Sequence, residues 1–306
     1  MSSRLGSSLF PFFAILGSVT FLALGTSWAK LGLFPTLGAQ GTTAVRVGLS
    51  ALVLMLWWRP WRRPLSRADL KAIALYGSAL GGMNLAFYLS IQTLPFGLAV
   101  AIELVGPLGV AVCASRRWLD GLWVACAVGS LALLLPWGHE VRTLDPGGVG
   151  FAMAAAALWA TYIVFGKRAG HLPTGQSVPL GLAMASLVVV PVGVAHAGAA
   201  MLSWHVLGVG LGVAVLSSAI PISLEMLALQ RLPKQAFGVM ISMEPAVTAL
   251  VALVLLGEQL TLPQWLAIAL IMGASMGCAA TSRPVAPRDT AIARTRDQAS
   301  GGVAGA

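Results

Sequence analysis

Glu103 stands inside LAVAIELVGPLGVAV, residues 98–112, and is the one charge between Phe96 and Ala114. A carboxylate in an apolar run can hold an ammonium group or carry a proton, and in a membrane such a residue is a functional candidate by default. Pro107 follows four residues later. It has no N–H to give to the carbonyl of residue 103. Side chain and backbone of Glu103 therefore offer acceptors at one level, a cradle for a cation. The competing use is a neutral buried acid, or a structural pair with Arg46 or Lys30.

Other residues suggest related chemistry. Glu244 directly precedes Pro245 in SMEPA, a second acid beside a helix break. Glu225, one turn after Pro221, reads as a gate residue or a partner of Arg231 or Lys234. Gly77, Gly81, Asn84, Tyr88 and Gln92 recur at i, i+4, i+7, i+11 and i+15, which is one helical face. The glycines permit close helix approach, and the three polar residues either line a cavity or bond across a bundle. Arg46 lies deeper in its apolar run than Lys30. It is a candidate for a substrate carboxylate, with Asn84 and Tyr88 as further donors. Lys30 reads as interfacial snorkelling.

The elements that must position these groups are membrane spans. The chain has 306 residues, 58% hydrophobic and 9% charged, with a mean hydropathy of +0.86. Soluble domains carry about 25% charged residues. A spanning helix needs about 20 apolar residues, and ten stretches qualify: 9–30, 41–58, 70–93, 96–115, 119–137, 148–166, 176–196, 206–230, 235–256 and 262–282. Their continuous apolarity, without alternation, argues against a β-barrel. With the N-terminus in the cytoplasm, 16 of the 19 Lys and Arg residues fall on cytoplasmic segments, as the positive-inside rule requires. This arrangement accounts for the net charge of +9. It predicts contact with anionic lipid at the cytoplasmic loops and argues against nucleic acid.

The chain reads as doubled. At an offset of 138 residues, Leu89, Gln92, Leu94, Pro95 and Pro107 fall on Leu227, Gln230, Leu232, Pro233 and Pro245. Each half holds five spans, an odd number, so the second enters the membrane inverted. The expected organisation is a cytoplasmic N-terminus (1–8), a first repeat (9–137), a periplasmic linker (138–147), a second repeat (148–282) and a disordered cytoplasmic tail (283–306). Inverted repeats are the plan of many secondary transporters, with the substrate site near midplane between them.

Several chemistries lack their signatures. The cysteines Cys113, Cys126 and Cys278 have no metal-ligand spacing. The four histidines form no ligand set. Walker A, H-E-x-x-H and G-x-S-x-G motifs are missing. No enzyme, cofactor or metal is predicted. The first apolar run lacks a cleavage site and reads as a retained span.

The segments YGSALGGMNLAFYLSIQTLPFGLAVAIELVGPLGVAV (76–112), PISLEMLALQRLP (221–233), SMEPAVTALVALVLLGEQLT (242–261) and IMGASMG (271–277) resemble the threonine/homoserine exporters. These are EamA-type members of the drug/metabolite transporter superfamily. Gly257-Glu258 with QLTLPQW resembles the general superfamily mark. The resemblance implies ten helices in two inverted repeats. It also implies export of threonine and homoserine across the bacterial inner membrane, driven by the proton-motive force. Expected partners are an amino acid, protons and the bilayer, with a homodimer as a candidate assembly. The alternatives are export of another metabolite or drug, or a membrane protein that does not transport.

Overall fold

The computed structural model describes residues 2–94, 96–114, 118–134, 145–256 and 262–281. These are helical, with no strand among the described residues. In chain order the helices are α1 (Ser2–Gly32), α2 (Phe34–Trp58), α3 (Arg67–Ser90), α4 (Phe96–Glu103), α5 (Val105–Ala114), α6 (Trp118–Leu134) and α7 (Pro146–Arg168), then α8 (Thr174–Ala197), α9 (Trp204–Ala214), α10 (Ile220–Arg231), α11 (Lys234–Ile241), α12 (Glu244–Leu256) and α13 (Leu262–Thr281). Six segments are long and apolar enough to cross a membrane: Phe10–Gly32, Phe34–Trp58, Arg67–Ser90, Pro146–His171, Thr174–Leu202 and Trp204–Arg231. The protein is a multi-pass membrane protein. The other predicted spans are helical where described but shorter or interrupted. The stretch 96–115 divides into α4 and α5, and 235–256 divides into α11 and α12.

Proline explains where several helices begin and break. Pro35 opens α2 at a position where its missing N–H leaves no bond unmade. Gly38, at φ 63° and ψ −172°, kinks α2 one turn later, in a backbone region that L side chains rarely adopt. Between α9 and α10 a π turn, Val215–Ala219, precedes Pro221. Such turns absorb the register that a proline disrupts. The break at Ser242 and Met243 hands the chain to α12, so Glu244 and Pro245 open a helix.

Packing joins early helices to late ones. α2 packs on α8, α3 on α7 and α8, α1 on α10, α5 on α11, and α6 on α13. Small residues set these approaches. A Cβ at Gly77 would strike the Gly181 carbonyl oxygen at 2.6 Å, and one at Gly81 would strike that of Ala185 at 2.7 Å. The two glycines of the predicted α3 face therefore serve helix packing. In the last helix Gly277 lies under the Trp123 ring, while a Cβ at Gly273 meets nothing.

Side chains tie the helix ends together. At one end, Lys167 Nζ donates to the carbonyls of Leu229 (2.7 Å), Gln230 (3.2 Å) and Leu232 (2.5 Å). These carbonyls lie at the end of α10, where intrahelical donors run out and a cation is favoured. Gln230 accepts from the Thr174 hydroxyl at 3.1 Å and donates to the Leu172 carbonyl at 3.0 Å. Lys167→Met removes three charge-assisted bonds, each acceptor losing on the order of 1–3 kcal/mol if left bare. The melting temperature of the purified variant should fall by several degrees, and an unchanged value would show the latch to be idle. At the other end Asp145 caps α7, accepting from the Gly148 N–H at 2.8 Å. The Thr93 hydroxyl, with that amide, holds its carboxyl below the usual range.

Candidate functional site

Arg46 lies in the middle of α2 and is 2% exposed. Its Nη2 donates to Asn84 Oδ1, and its guanidinium sits 4.7 Å from the centre of the Tyr88 ring. Asn84 Nδ2 donates to the Leu80 carbonyl at 2.8 Å, which turns the amide oxygen of α3 toward Arg46. Tyr88 is held by Phe34, with ring centres 5.5 Å apart. Arg46 Nε and the Tyr88 hydroxyl have no hydrogen-bond partner. Among the described residues no carboxylate lies within 4.0 Å of the guanidinium. A buried cation without a counter-ion, inside a membrane-spanning helix, is costly. Its free donors suit a planar anion such as a carboxylate.

Glu103 lies within electrostatic reach of this cation, and two further acids lie near Glu103. Glu103 ends α4 and is 6% exposed. A helix C-terminus carries partial negative charge, so the carboxylate there gains from a cation. Glu244 is half-buried at the start of α12, where the helix dipole favours it. Glu225 of α10 is buried, and its carboxylate is 3.1 Å from the Ser18 hydroxyl, which also lies 3.0 Å from the Pro221 carbonyl. Glu103 is within electrostatic reach of Glu244, Arg46 and Glu225, and Glu244 is within reach of Glu225. The fold therefore gathers four charged side chains from α2, α4, α10 and α12. If all ionise, the acids outnumber the one guanidinium three to one.

Two sequence expectations are corrected. Gln92 does not share a face with Asn84 and Tyr88. α3 ends at Ser90, and Gln92 is exposed in the turn that follows. With the helix ended, the 3.6-residue spacing no longer places Gln92 on its face. Glu225 does not pair with Arg231 or Lys234. Ser18 takes its carboxylate, and Arg231 lies over the Phe10 ring at 4.3 Å. Pro107 and Pro245 stand next to helix interruptions, whereas Pro221 follows a π turn within a continuous helical stretch. Pro107 is buried at the third position of α5, with its carbonyl oxygen close against Gly238 of α11. Gly257, Glu258 and the tail 283–306 lie outside the described residues.

The sequence reading also passed over several polar groups. Among the described residues Gln40 Oε1, Thr42 Oγ1 and Trp159 Nε1 are buried without a partner, and the Tyr162 hydroxyl is buried with the Glu225 carboxylate beside it. Tyr162 lies beside Glu225 within electrostatic reach and packs on Tyr76, with ring centres 6.0 Å apart. Unmet polar groups in hydrocarbon are expensive, so these are further candidates for contact with water or a polar ligand. Trp159 and Tyr162 stand three residues apart on α7, a spacing that puts them on one face and could have flagged them.

The EamA-like transporter family model matches residues 146–279. The threonine/homoserine exporter RhtA of Escherichia coli strain K12 is 46% identical over 273 residues, covering 89% of this chain and 92% of that protein. This chain belongs to the threonine/homoserine exporter family. RhtA of Salmonella typhimurium strain LT2 is 45% identical with the same coverage. One crystal structure superposes with a TM-score of 0.67, covering 90% of this chain and 96% of that one at 20% identity, which shows a shared fold. As a member of the exporter family the protein is a transporter rather than an enzyme. The EamA-like match contains Trp159, Tyr162, Glu225 and Glu244, while Arg46 and Glu103 fall outside it. The site described above therefore needs both parts of the chain.

Proposed function

We propose that this protein exports small neutral amino acids, threonine and homoserine among them, across the bacterial inner membrane by proton antiport. The unpaired, buried guanidinium of Arg46 is the observation that carries this reading. A zwitterionic amino acid brings a carboxylate for the guanidinium and an ammonium for the acids. Its carboxylate meets Arg46, with Asn84 and Tyr88 orienting the guanidinium. Its ammonium meets Glu103, then Glu244. Three acids around one cation leave negative charge in a low-dielectric setting, which favours uptake of either an ammonium or a proton. Exchange of one for the other at Glu103 couples proton entry to substrate release.

The architecture we propose is ten spans in two inverted five-helix repeats, with both termini in the cytoplasm. The packing supports it: each major contact joins the two halves, and the pattern maps onto itself when the halves are exchanged. The basic residues on alternate connections support the orientation. Alternating access then follows from rocking one repeat on the other about the Arg46–Glu103 level. Pro107 and Pro245, beside helix interruptions, and Pro221, after a π turn, supply the points at which the helices flex.

Cells loaded with a threonine-containing dipeptide test the substrate. Producing the protein should raise the rate at which threonine appears outside. Equal rates with and without it would sink the amino-acid reading.

A further inference from the structure

A lateral groove of about 540 Å³ runs between α5 and α7, apart from the charged cluster. Small residues of α5 and α7, among them Gly106, Gly109, Ala157 and Ala160, line it together with larger apolar side chains, and Lys234 is its one charged lining residue. A Cβ at Gly109 would meet nothing within 4 Å, and Ala157 is exposed, so the groove opens outward from the bundle. It follows α7 from Met153 to Val164, about 16 Å at 1.5 Å per residue. One leaflet of hydrocarbon is about 15 Å thick. Lys234 is half-buried and makes no hydrogen bond or ion pair among the described residues. Lys167 lies close enough to act on it electrostatically but is engaged by the α10 carbonyls. Among the described residues that line the groove, the one charged group is this ammonium, at the end where Lys167 and Arg168 finish α7.

The geometry points to a binding site for an anionic phospholipid, with one acyl chain in the groove and the headgroup phosphate on Lys234. The length matches a chain within one leaflet, and the open side faces lipid. The free cation stands where the headgroup of that leaflet would lie, and basic groups near the cytoplasmic surface attract anionic lipid. A second copy of the chain would also bury the apolar walls, but it would bring no anion to Lys234 unless its own acidic side chains met there.

Native mass spectrometry of the full-length protein, with phosphatidylglycerol or phosphatidylcholine added at equal concentration, tests this. The wild type should retain phosphatidylglycerol preferentially. Lys234→Gln should lower that retention about fivefold and leave phosphatidylcholine unchanged. Ala157→Phe, filling an exposed position, should reduce retention of both lipids while the protein stays folded and monodisperse. A Lys234→Gln variant that keeps the wild-type preference, or an Ala157→Phe variant that keeps both lipids, would overturn the assignment. A wild-type dimer that Ala157→Phe splits would hand the groove to a second copy and overturn it too.

Discussion

Arg46→Gln should abolish threonine export and leave the protein at least as heat-stable as the wild type. The two halves of this expectation come from one observation. Arg46 is buried, stacked on Tyr88 and bonded to Asn84, with no carboxylate within 4.0 Å. A structural arginine would have a counter-ion, and removing it would strand that partner. Here no contacting carboxylate is stranded, and removing a buried charge relieves a desolvation penalty that outweighs the longer-range attraction to Glu103. Loss of a buried charge pair with the substrate carboxylate is worth about 2–5 kcal/mol, at least roughly 30-fold in apparent affinity. Arg46→Lys should recover only part of it, because an ammonium lacks the planar fork. The checks are efflux from cells and the melting temperature of the purified protein. A variant that loses several degrees together with its activity would make Arg46 a structural residue.

Glu103→Gln is expected to separate binding from coupling. The exchange keeps shape and removes a charge from the C-terminal end of α4, where the helix dipole opposes it. It also lessens the negative charge shared with Glu244 and Glu225. Stability should hold or rise. Efflux should fall by roughly tenfold or more, the scale of one lost charge-assisted contact. Under the proposed antiport, acidifying the outside of wild-type cells should speed efflux, because inward proton movement would drive the exchange. In the variant that dependence should flatten. Efflux that keeps both its rate and its response to outside pH would make Glu103 a structural acid.

The sequence reading found these residues because each is anomalous where it stands. A charge in an apolar run and a proline beside an acid can be seen without coordinates, and so can the helical nature of the spans. What could not be read was which faces of distant helices meet. Ser18 and Glu225 are 207 positions apart, and nothing local in α1 or α10 announces their contact. Gln92 failed for the opposite reason: its spacing fitted a helical face, but the helix had already ended at Ser90. Gln40 and Thr42 fell at the expected edge of a span, because the stretch before Gly38 was not read as helix. Trp159 and Tyr162 sit in a run of alanines that looked like plain packing. Their polar atoms became informative only when seen buried.

The most direct test of the account uses purified protein in liposomes loaded with labelled threonine. An inward proton gradient should drive threonine out of wild-type vesicles, and dissipating the gradient should slow it to the leak rate. Arg46→Gln vesicles should show the leak rate under both conditions. Threonine release from Arg46→Gln vesicles that matches the wild type, or wild-type release indifferent to the gradient, would contradict the claim that this cluster binds the amino acid and exchanges it for a proton.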